Sequence, residues 1–534
     1  MIPFTNEEIA DFLEDLAFLS EIEGTQNPFK IRSYYKAAES IRLLEKNLFS
    51  LNEREWKNLP GIGAGIHRIL SELKSRHSCH EMDELLKKIP ETLLELQEIK
   101  GLGPARIRTL WKEAHIKNFR ELVKALEQNK LNSVRGLGEK FIEQLHKNIT
   151  FLIQSKQKKL YKQVIDSVND FLMQVRNYDS SVQITGDVYA CMPVLESIDF
   201  YAPHQHKIPE DFIHSLEQKT GLPVNITDKN PFYPHEFIPG TTVFVSSVKA
   251  YIERHKDSQT EIFKFLKKLP PEWHDRPFEQ IQKINQDNIV SYRDIRGLIH
   301  AHSTWSDGQH SIAEMAEKCM KNGWEWMVIS DHSKSAFYAN GLNENRVQQQ
   351  RKEIDILNST FKNFRIFQGI ECDILTDGEL DFSYDTLKTF DVVIISVHSK
   401  LNMKEEEATH RLIKAIEKPV VHILGHPTGR LLLQREGYPV NHRKIIDACA
   451  ANGVAIELNA NPWRLDLDYT WIEYCMKKEV MMCISPDAHS IQGISDVEYG
   501  TIIARKGLME KKFCLNTFSS VNFLNWLQKK HGHH

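Results

Sequence analysis

The spacing of apolar and polar positions divides the chain into regions of different character. Up to about residue 158 the apolar residues recur at helical intervals. One pattern occurs there three times: Leu59-Pro-Gly-Ile-Gly63 before AGIHRILSEL, Ile99-Lys-Gly-Leu-Gly103 before PARIRTLWKEA, and Val134-Arg-Gly-Leu-Gly138 before EKFIEQLHKNI. Each is an apolar-x-Gly-apolar-Gly turn leading into an amphipathic helix. Residues 159–288 mix helical and strand periods. From about residue 290 short apolar runs alternate with amphipathic helical stretches. The runs predict strands at Gly297–His300, Trp326–Ser330, Arg365–Gly369, Asp391–Val397, Pro419–Gly425, Val454–Leu458 and Val480–Ile484. Seven β-α alternations predict an α/β barrel or, failing that, a doubly wound sheet. The longest apolar runs, such as Val392 to Val397, are too short to cross a bilayer.

Composition adds bounds. The 534 residues, 26% charged and 41% hydrophobic, suit about three or four soluble domains and exclude collagen-like, fibrous or wholly disordered classes. Eight cysteines contain no CxxC pair, which speaks against a disulfide scaffold, a zinc knuckle or a thioredoxin-like site. Reduced thiols and a cytoplasmic location are expected. The acidic start, MIPFTNEEIADFLEDLAFL, lacks the basic leader of a signal peptide. The closing His531-Gly-His-His534 is expected to be a disordered end.

The net charge of −4 disfavours a uniformly cationic coat protein but hides an asymmetry. Residues 101–160 hold 13 basic and 5 acidic residues. A solvated helix surface would carry such charge too, but the second and third glycine turns fall within this stretch. The two glycines permit a tight turn and close backbone approach. The unpaired N–H groups of the following helix can hold a phosphate oxygen. These turns resemble helix-hairpin-helix motifs, which grip nucleic-acid backbone without reading sequence. That assigns Gly61, Gly63, Gly101, Gly103, Gly136 and Gly138 to DNA contact, with Arg106 and Lys140 beside them. The upstream segment Asn27-Pro-Phe-Lys-Ile-Arg-Ser-Tyr-Tyr-Lys-Ala-Ala38, with the hairpins, resembles the N-terminal region of family X DNA polymerases. Lys30, Arg32 and Lys36 are candidate contacts to a DNA end, or simply an exposed helix face.

In that family a nucleotidyl-transfer palm follows the hairpins. Its strand motif has Gly-Ser, an arginine pair and then Asp-x-Asp, whose carboxylate oxygens, with those of a third aspartate, would hold two cations. Here Gly186 and Asp199 match, but Ser197 stands at the first aspartate and Tyr189-Ala190 at the arginine pair. Asn225, in Val224-Asn-Ile-Thr227, stands at the third aspartate. Ser and Asn cannot supply those anionic oxygens, so polymerisation is expected to be lost or very weak. Asp228 or Glu196, if repositioned, would alter that expectation.

The C-terminal region concentrates potential metal ligands at strand ends. His300 and His302 end the first strand, with Asp307 beyond them, and Asp331-His332 follow the second. Glu371 follows the third, His398 the fourth, His426 the fifth, and Asp487 and His489 the seventh. The C-terminal ends of parallel strands converge at one mouth of a barrel, and His-x-His on a strand puts both rings on one face. Isolated histidines such as His310, His410 and His422 are better read as surface or packing residues. Imidazoles and carboxylates in this mix suit zinc, manganese or iron better than magnesium or calcium.

These residues resemble a PHP (polymerase and histidinol phosphatase) phosphoesterase domain. Leu298 stands where the family's motif often has Asp. The resemblance implies nine ligands to three divalent ions. His300, His302, Glu371 and Asp487 would hold one, Glu371 with His398 and His426 a second, and Asp307, His332 and His489 the third. His300, His302, Glu371, His398 and Asp487 would thereby be catalytic, with Arg430 of His-Pro-Thr-Gly-Arg as phosphate clamp. Lys334 and Lys400 are weaker clamp candidates.

Together the parts resemble a bacterial-type family X polymerase. The expected architecture is multidomain α and α/β. It comprises a helical domain at 1–90 with the first hairpin, a helical region at 91–158 with the other two, a small α+β degenerate nucleotidyltransferase-like palm at 159–288, and a distorted (β/α)7 PHP barrel at 289–534. The implied function is a DNA-binding, metal-dependent phosphoesterase, a 3′-5′ exonuclease or 3′-end processing enzyme in repair, without membrane contact; its oligomeric state is left open, with a monomer favoured. The alternatives are a histidinol-phosphatase-like enzyme, which leaves the hairpins unexplained; a non-catalytic DNA scaffold, which leaves the ligand set unexplained; and an active polymerase, which Ser197 and Asn225 oppose.

Overall fold

A computed structural model describes residues 4–24, 27–42, 44, 46–57, 59–228, 239–254 and 259–531. Gly532 to His534 of the expected disordered end lie outside them. The chain forms two compact units, Met1–Gln154 and Ser155–His534.

The first unit is helical. Helix α1 (Asn6–Glu23) opens on a capping box in which Thr5 accepts from the Glu8 N–H and Glu8 accepts from the Thr5 N–H. This pairing satisfies donors that a helix start otherwise leaves orphaned. Its apolar stripe, including Ile9, Leu13 and Leu16, packs on α2 (Pro28–Arg42) through Ile31, Tyr34, Ala38 and Ile41. The three glycine turns lead into α3 (Ala64–Arg76), α4 (Pro104–Ala114) and α5 (Glu139–Lys156). One apolar cluster runs through all of them, from Ile9 to Ile149. The first glycine of each turn is left-handed: Gly61 at φ +84°, Gly101 at +80° and Gly136 at +92°. Any L side chain would be strained there. Ile62, Leu102 and Leu137, between the glycines, are buried and plug each turn into the core.

The second unit begins with the palm-like segment. Helix α6 (Tyr161–Val175) and helix α7 (Glu210–Thr220) accompany a three-stranded sheet. Strand β1 (Gln183–Thr185) pairs antiparallel with β2 (Ile198–Tyr201), and β3 (Val224–Thr227) pairs parallel with β2. The segment's apolar cluster is continuous with that of the following barrel. The Tyr161 ring stacks on Tyr499 with centroids 5.8 Å apart. The Lys506 ammonium is buried at the same junction and donates to Asp275 at 2.9 Å and to the Ala190 carbonyl at 2.8 Å.

The barrel has seven parallel strands in sequential order: β4 (Gly297–Ala301), β5 (Trp326–Ile329), β6 (Arg365–Asp373), β7 (Val392–Ser396), β8 (Ile423–Leu424), β9 (Ala455–Asn459) and β10 (Met482–Ser485). A parallel bridge between Ala301 and Ala488, with the His302 N–H donating to the Ala488 carbonyl at 2.9 Å, ties the first strand to the segment just past the last. Helices α8 (Ile312–Lys321), α9 (Glu344–Thr360), α10 (Glu405–Ile416), α11 (His442–Asn452) and α12 (Asp496–Lys506) fall between or after the strands. All seven strands fall where the apolar runs predicted them. The third is longer, because Glu371 to Asp373 continue the ladder with Ile394 to Ser396.

Alternate strand residues separate into two apolar sets, as a period of two requires. Ile299, Val328, Phe367, Ile394, Ile423, Ala455 and Cys483 share one cluster with Phe523 and Leu527 of the C-terminal helix Ser520–His531. Trp326 stacks on Phe523 at 4.0 Å. This inner floor sets the parity for what lies above it. Continuing by twos gives His332, Glu371, His398, Glu457 and Asp487. All eight cysteines are buried and free. Among the described residues no helix is long and apolar enough to cross a membrane.

Candidate metal centre

The strand parity fails at β4 and again after β8, where His426 stands three residues past Ile423, and these failures help build the site. Ile299 belongs to the inner floor, so simple alternation would turn His300 and His302 outward. The β4–β5 register shifts between Leu298 and Ala301, and His300 adopts φ +66°. This bulge re-aims the strand and brings both histidines inward. His-x-His does share a face, by a route that alternation alone did not predict. Asp487 is likewise left-handed, at φ +53°.

The nine expected ligand residues form one cluster around Glu371. Its Oε2 lies 3.0 Å from His332 Nδ1, 3.4 Å from His300 Nε2 and 3.7 Å from His302 Nε2. Its Oε1 lies 2.9 Å from His426 Nε2 and 3.2 Å from His398 Nε2. Asp487 Oδ1 is 3.1 Å from His302 Nε2 and 3.6 Å from His300 Nε2. Asp307 Oδ2 is 3.4 Å from His489 Nε2 and 3.6 Å from His332 Nε2. Three subsets have ligand atoms close enough to share an ion: His302, Asp307, His332 and His489; His300, His302 and Asp487; and His332, Glu371 and His398. His302 and His332 each join two subsets, where the family grouping assigned each to one.

The donor set fits cations. His300 Nε2, His302 Nδ1, His332 Nδ1 and Glu371 Oε2 are buried without a hydrogen-bond partner, a cost that a bound cation removes. The opposite ring nitrogens are held in place. His300 Nδ1 meets Glu457 at 2.5 Å, His398 Nδ1 meets Asp373, and His489 Nδ1 meets the Asp487 carbonyl at 2.9 Å. A proton on each Nδ1 leaves the Nε2 lone pair facing the cluster, which is how second partners orient histidine ligands.

Charges are shifted accordingly. Burial, reinforced by His489 and His332, pushes His302 down to about 3, so its ring is neutral. Burial opposes the charge of Glu371 and Asp487, yet the surrounding imidazoles hold both carboxyls well below their usual range. Burial also opposes protons on His300 and His398. The Glu457, Glu371 and Asp487 carboxylates nonetheless raise His300, and Glu371 with Asp373 raises His398 to about 10. Those protons compete with cations, so metal affinity falls as pH falls.

Glu457 escaped the strand-end pattern because it lies inside β9. The signal present was a lone Glu in the apolar run Val454–Leu458. Its carboxylate also accepts from the His426 N–H at 3.2 Å and from Asn459 Nδ2 at 2.9 Å, and Asn459 reaches Asp487 at 3.2 Å. Glu457→Gln is expected to weaken metal binding about 10- to 100-fold, read by chelator competition.

Arg430, expected as the phosphate clamp, is used otherwise. Its guanidinium donates to Asp468 at 2.8 Å, to the Arg464 carbonyl at 2.9 Å and to the Leu465 carbonyl. It braces a loop that places Arg464 Nε 3.3 Å from Asp487 Oδ2. Arg464, Trp463, Asn461, Asp487 and His489 line a cleft of about 270 Å³. Lys334 is paired with Glu344 at 2.8 Å, and Lys400 is exposed at φ +55°. His422, read as packing, is buried and accepts from the Val393 N–H at 3.1 Å.

In the palm-like sheet the register sets Asn225 beside Asp199. Asp199 accepts from Asn225 Nδ2 at 2.7 Å and from Ser197 Oγ at 3.0 Å. Glu196 is paired with Lys158 at 2.7 Å.

In the first unit Gly63 and Gly103 are the N-caps of α3 and α4 with no side-chain cap, and a Cβ at Gly63, Gly103 or Gly138 would meet open space. Space is thus open to an outside acceptor at these helix starts, although α4 begins with Pro104, which has no N–H to offer. Arg106 donates to the Gly101 carbonyl at 2.7 Å and lies over the Phe141 ring. Lys140 is exposed, Lys30 pairs with Glu81 at 3.3 Å, and Arg32 lies over the exposed Phe29.

Two family models match the chain: a helix-hairpin-helix domain over residues 4–79 and a PHP domain over residues 299–461. The DNA polymerase/3′-5′ exonuclease PolX of Bacillus subtilis (strain 168) is 31% identical across 96% of this chain and 97% of its own length. A probable phosphatase of Caldicellulosiruptor bescii is 26% identical across 44% of this chain and 95% of its own. A solved histidinol phosphate phosphatase of Lactococcus lactis, complexed with zinc, L-histidinol and phosphate, aligns over 40% of this chain and 95% of its own. Its TM-score is 0.32 and its identity 18%.

Proposed function

The chain belongs to the bacterial family X DNA polymerases that carry a PHP domain, and from that premise we propose that it is a metal-dependent 3′-5′ DNA exonuclease or 3′-end processing enzyme that has lost templated polymerisation. The PHP domain makes it a metal-dependent hydrolase of the phosphoesterase class. The contrast between its two potential metal sites carries the finer reading. The barrel gathers the nine expected ligand residues, and His300, His398 and His489 each have a second partner on Nδ1. The palm-like site keeps one of three carboxylates, and Ser197 and Asn225 occupy both oxygens of that one.

Zinc, manganese or iron, when bound, would polarise phosphoryl oxygens and lower the pKa of a water. The chain's residues supply the rest. His300, His302, Glu371 and Asp487 would hold one ion, with His332, His398, His426, Asp307 and His489 completing the others. Glu457 and Asp373 hold the protons on His300 Nδ1 and His398 Nδ1, which keeps Nε2 free to coordinate. Arg464 brings a planar guanidinium to the rim, a fork that suits nonbridging phosphate oxygens. The hairpins would hold DNA through backbone N–H groups and phosphates, an affinity that falls with salt.

The test is hydrolysis of 5′-labelled single-stranded and primer-template DNA with Mn²⁺. Shortening from the 3′ end is expected. No DNA hydrolysis together with turnover of histidinol phosphate would replace this reading with the small-molecule phosphatase. In a parallel primer-extension assay with magnesium or manganese, no templated addition of nucleotides is expected. Robust extension would refute the loss of the palm site.

A further inference from the structure

The loop between β5 and α9 carries two large aromatic side chains into solvent beside the metal centre. Phe337 is 85% exposed and Tyr338 66%. Single exposed apolar residues are ordinary on protein surfaces, but these two are adjacent, lie on a hydrogen-bonded loop, and one of them, Tyr338, stands near a candidate ligand. They share the single turn Phe337–Ala339, with ring centroids 6.4 Å apart and planes 74° from parallel. The Tyr338 ring lies 6.5 Å from the ring of His332.

The loop around them is fastened on both sides. The Ser335 N–H donates to Asp381 and its hydroxyl to Asp373, each at 2.7 Å. The Leu342 N–H donates to the His332 carbonyl at 2.8 Å, and Arg346 donates to the Asn340 carbonyl at 2.6 Å. Two of these four anchors are a ligand residue, His332, and the ligand-orienting Asp373. The aromatic pair is therefore fixed relative to the metal centre, with its faces left open.

We propose that Phe337 and Tyr338 form a stacking platform for the 3′-terminal base of single-stranded DNA. The inference rests on the nuclease reading and deepens it by naming the substrate class. A platform suits an enzyme that digests any sequence, because every base has a π-face. It also selects an unpaired end, since a base within a duplex has both faces covered by its neighbours. With the terminal base on these rings, the phosphodiester that joins it to the next nucleotide falls toward His332 and the ions it would help hold.

The experiment uses the full chain and a single-stranded oligonucleotide with 2-aminopurine at its 3′ end. In EDTA, where no cleavage occurs, binding should quench the probe more strongly than when 2-aminopurine sits at the 5′ end. Phe337→Ala/Tyr338→Ala should remove that difference. With manganese, the double variant should show a KM for single-stranded DNA raised about 10- to 100-fold, the range open to base–aromatic stacking, while kcat holds. Phe337→Trp/Tyr338→Trp should restore a low KM. Unchanged quenching and KM in the alanine variant would overturn the platform. A fall in kcat at unchanged KM would also overturn it, by showing a structural role. If the native protein cleaves no DNA, the nuclease reading fails, and the quenching experiment still decides the platform.

Discussion

His300→Ala and Asp487→Ala should each lower metal-dependent hydrolysis of DNA by more than about a thousandfold, or about 4 kcal/mol of transition-state stabilisation. Each residue bears on more than one partner in the cluster. His300 faces both Glu371 and Asp487, and Asp487 faces both His300 and His302. Losing either removes a donor and leaves buried neighbours without a counterpart. The measurement is single-turnover cleavage with Mn²⁺, together with the number of ions retained after dialysis. Both activity and bound metal should drop while the far-ultraviolet circular dichroism holds. Activity near the native level in either variant would remove the barrel as the hydrolytic site.

The second large effect concerns stability. Lys506→Ala should destabilise the second unit by about 3–5 kcal/mol, because it strands a buried carboxylate. The Lys506 ammonium donates to Asp275 at 2.9 Å and to the carbonyls of Ala190 at 2.8 Å and Glu272 at 3.3 Å. Asp275 also accepts from Tyr469 at 3.0 Å. Neighbouring Arg505 pairs with Glu272, and Arg276 with Glu473. One buried cation thus joins the palm-like segment, the segment after it and α12 of the barrel. Removing both charges with Lys506→Met/Asp275→Leu should recover much of the loss, since the cost comes from the unpaired partner. Chemical denaturation of the three proteins measures it. Equal stability of Lys506→Ala and the native protein would mean that the junction does not depend on this ion pair. The pair also gives the palm-like segment a role that needs no polymerase chemistry, as a packed support for the barrel.

Much of the architecture was legible in local pattern. A parallel strand buried on both faces reads as a short apolar run, and all seven runs became strands with bounds displaced by a few residues. The glycine turns were legible because their first glycines need a left-handed backbone and their middle residues are apolar. The candidate ligand positions were legible because they follow the strands at one barrel mouth.

The residues that sequence reasoning missed act across strands. Glu457 reads as an odd Glu in an apolar run until β9 is set beside β8 and β10. Asp373 reads as a loop residue after a strand that in fact continues through it. Arg430 stands out in its His-Pro-Thr-Gly-Arg motif, whereas nothing in the local sequence singles out Arg464. Only the folded loop shows that one braces the backbone while the other faces Asp487. Lys506 looks like an ordinary lysine at a helix end.

By itself, then, the sequence determined the element types, the strand sequence of the barrel, the three hairpins and the residue types able to hold cations. Those properties follow from periods of two and 3.6 and from backbone rules that act over a few neighbours. The tertiary structure alone decided that His300 turns inward through a bulge, which nitrogen of each ring faces the carboxylates of the cluster, and which arginine is left at the rim. It also decided that Asp199 is tied to Ser197 and Asn225. Each of these depends on which residue stands opposite, and register is set by packing across the whole sheet rather than by the local chain.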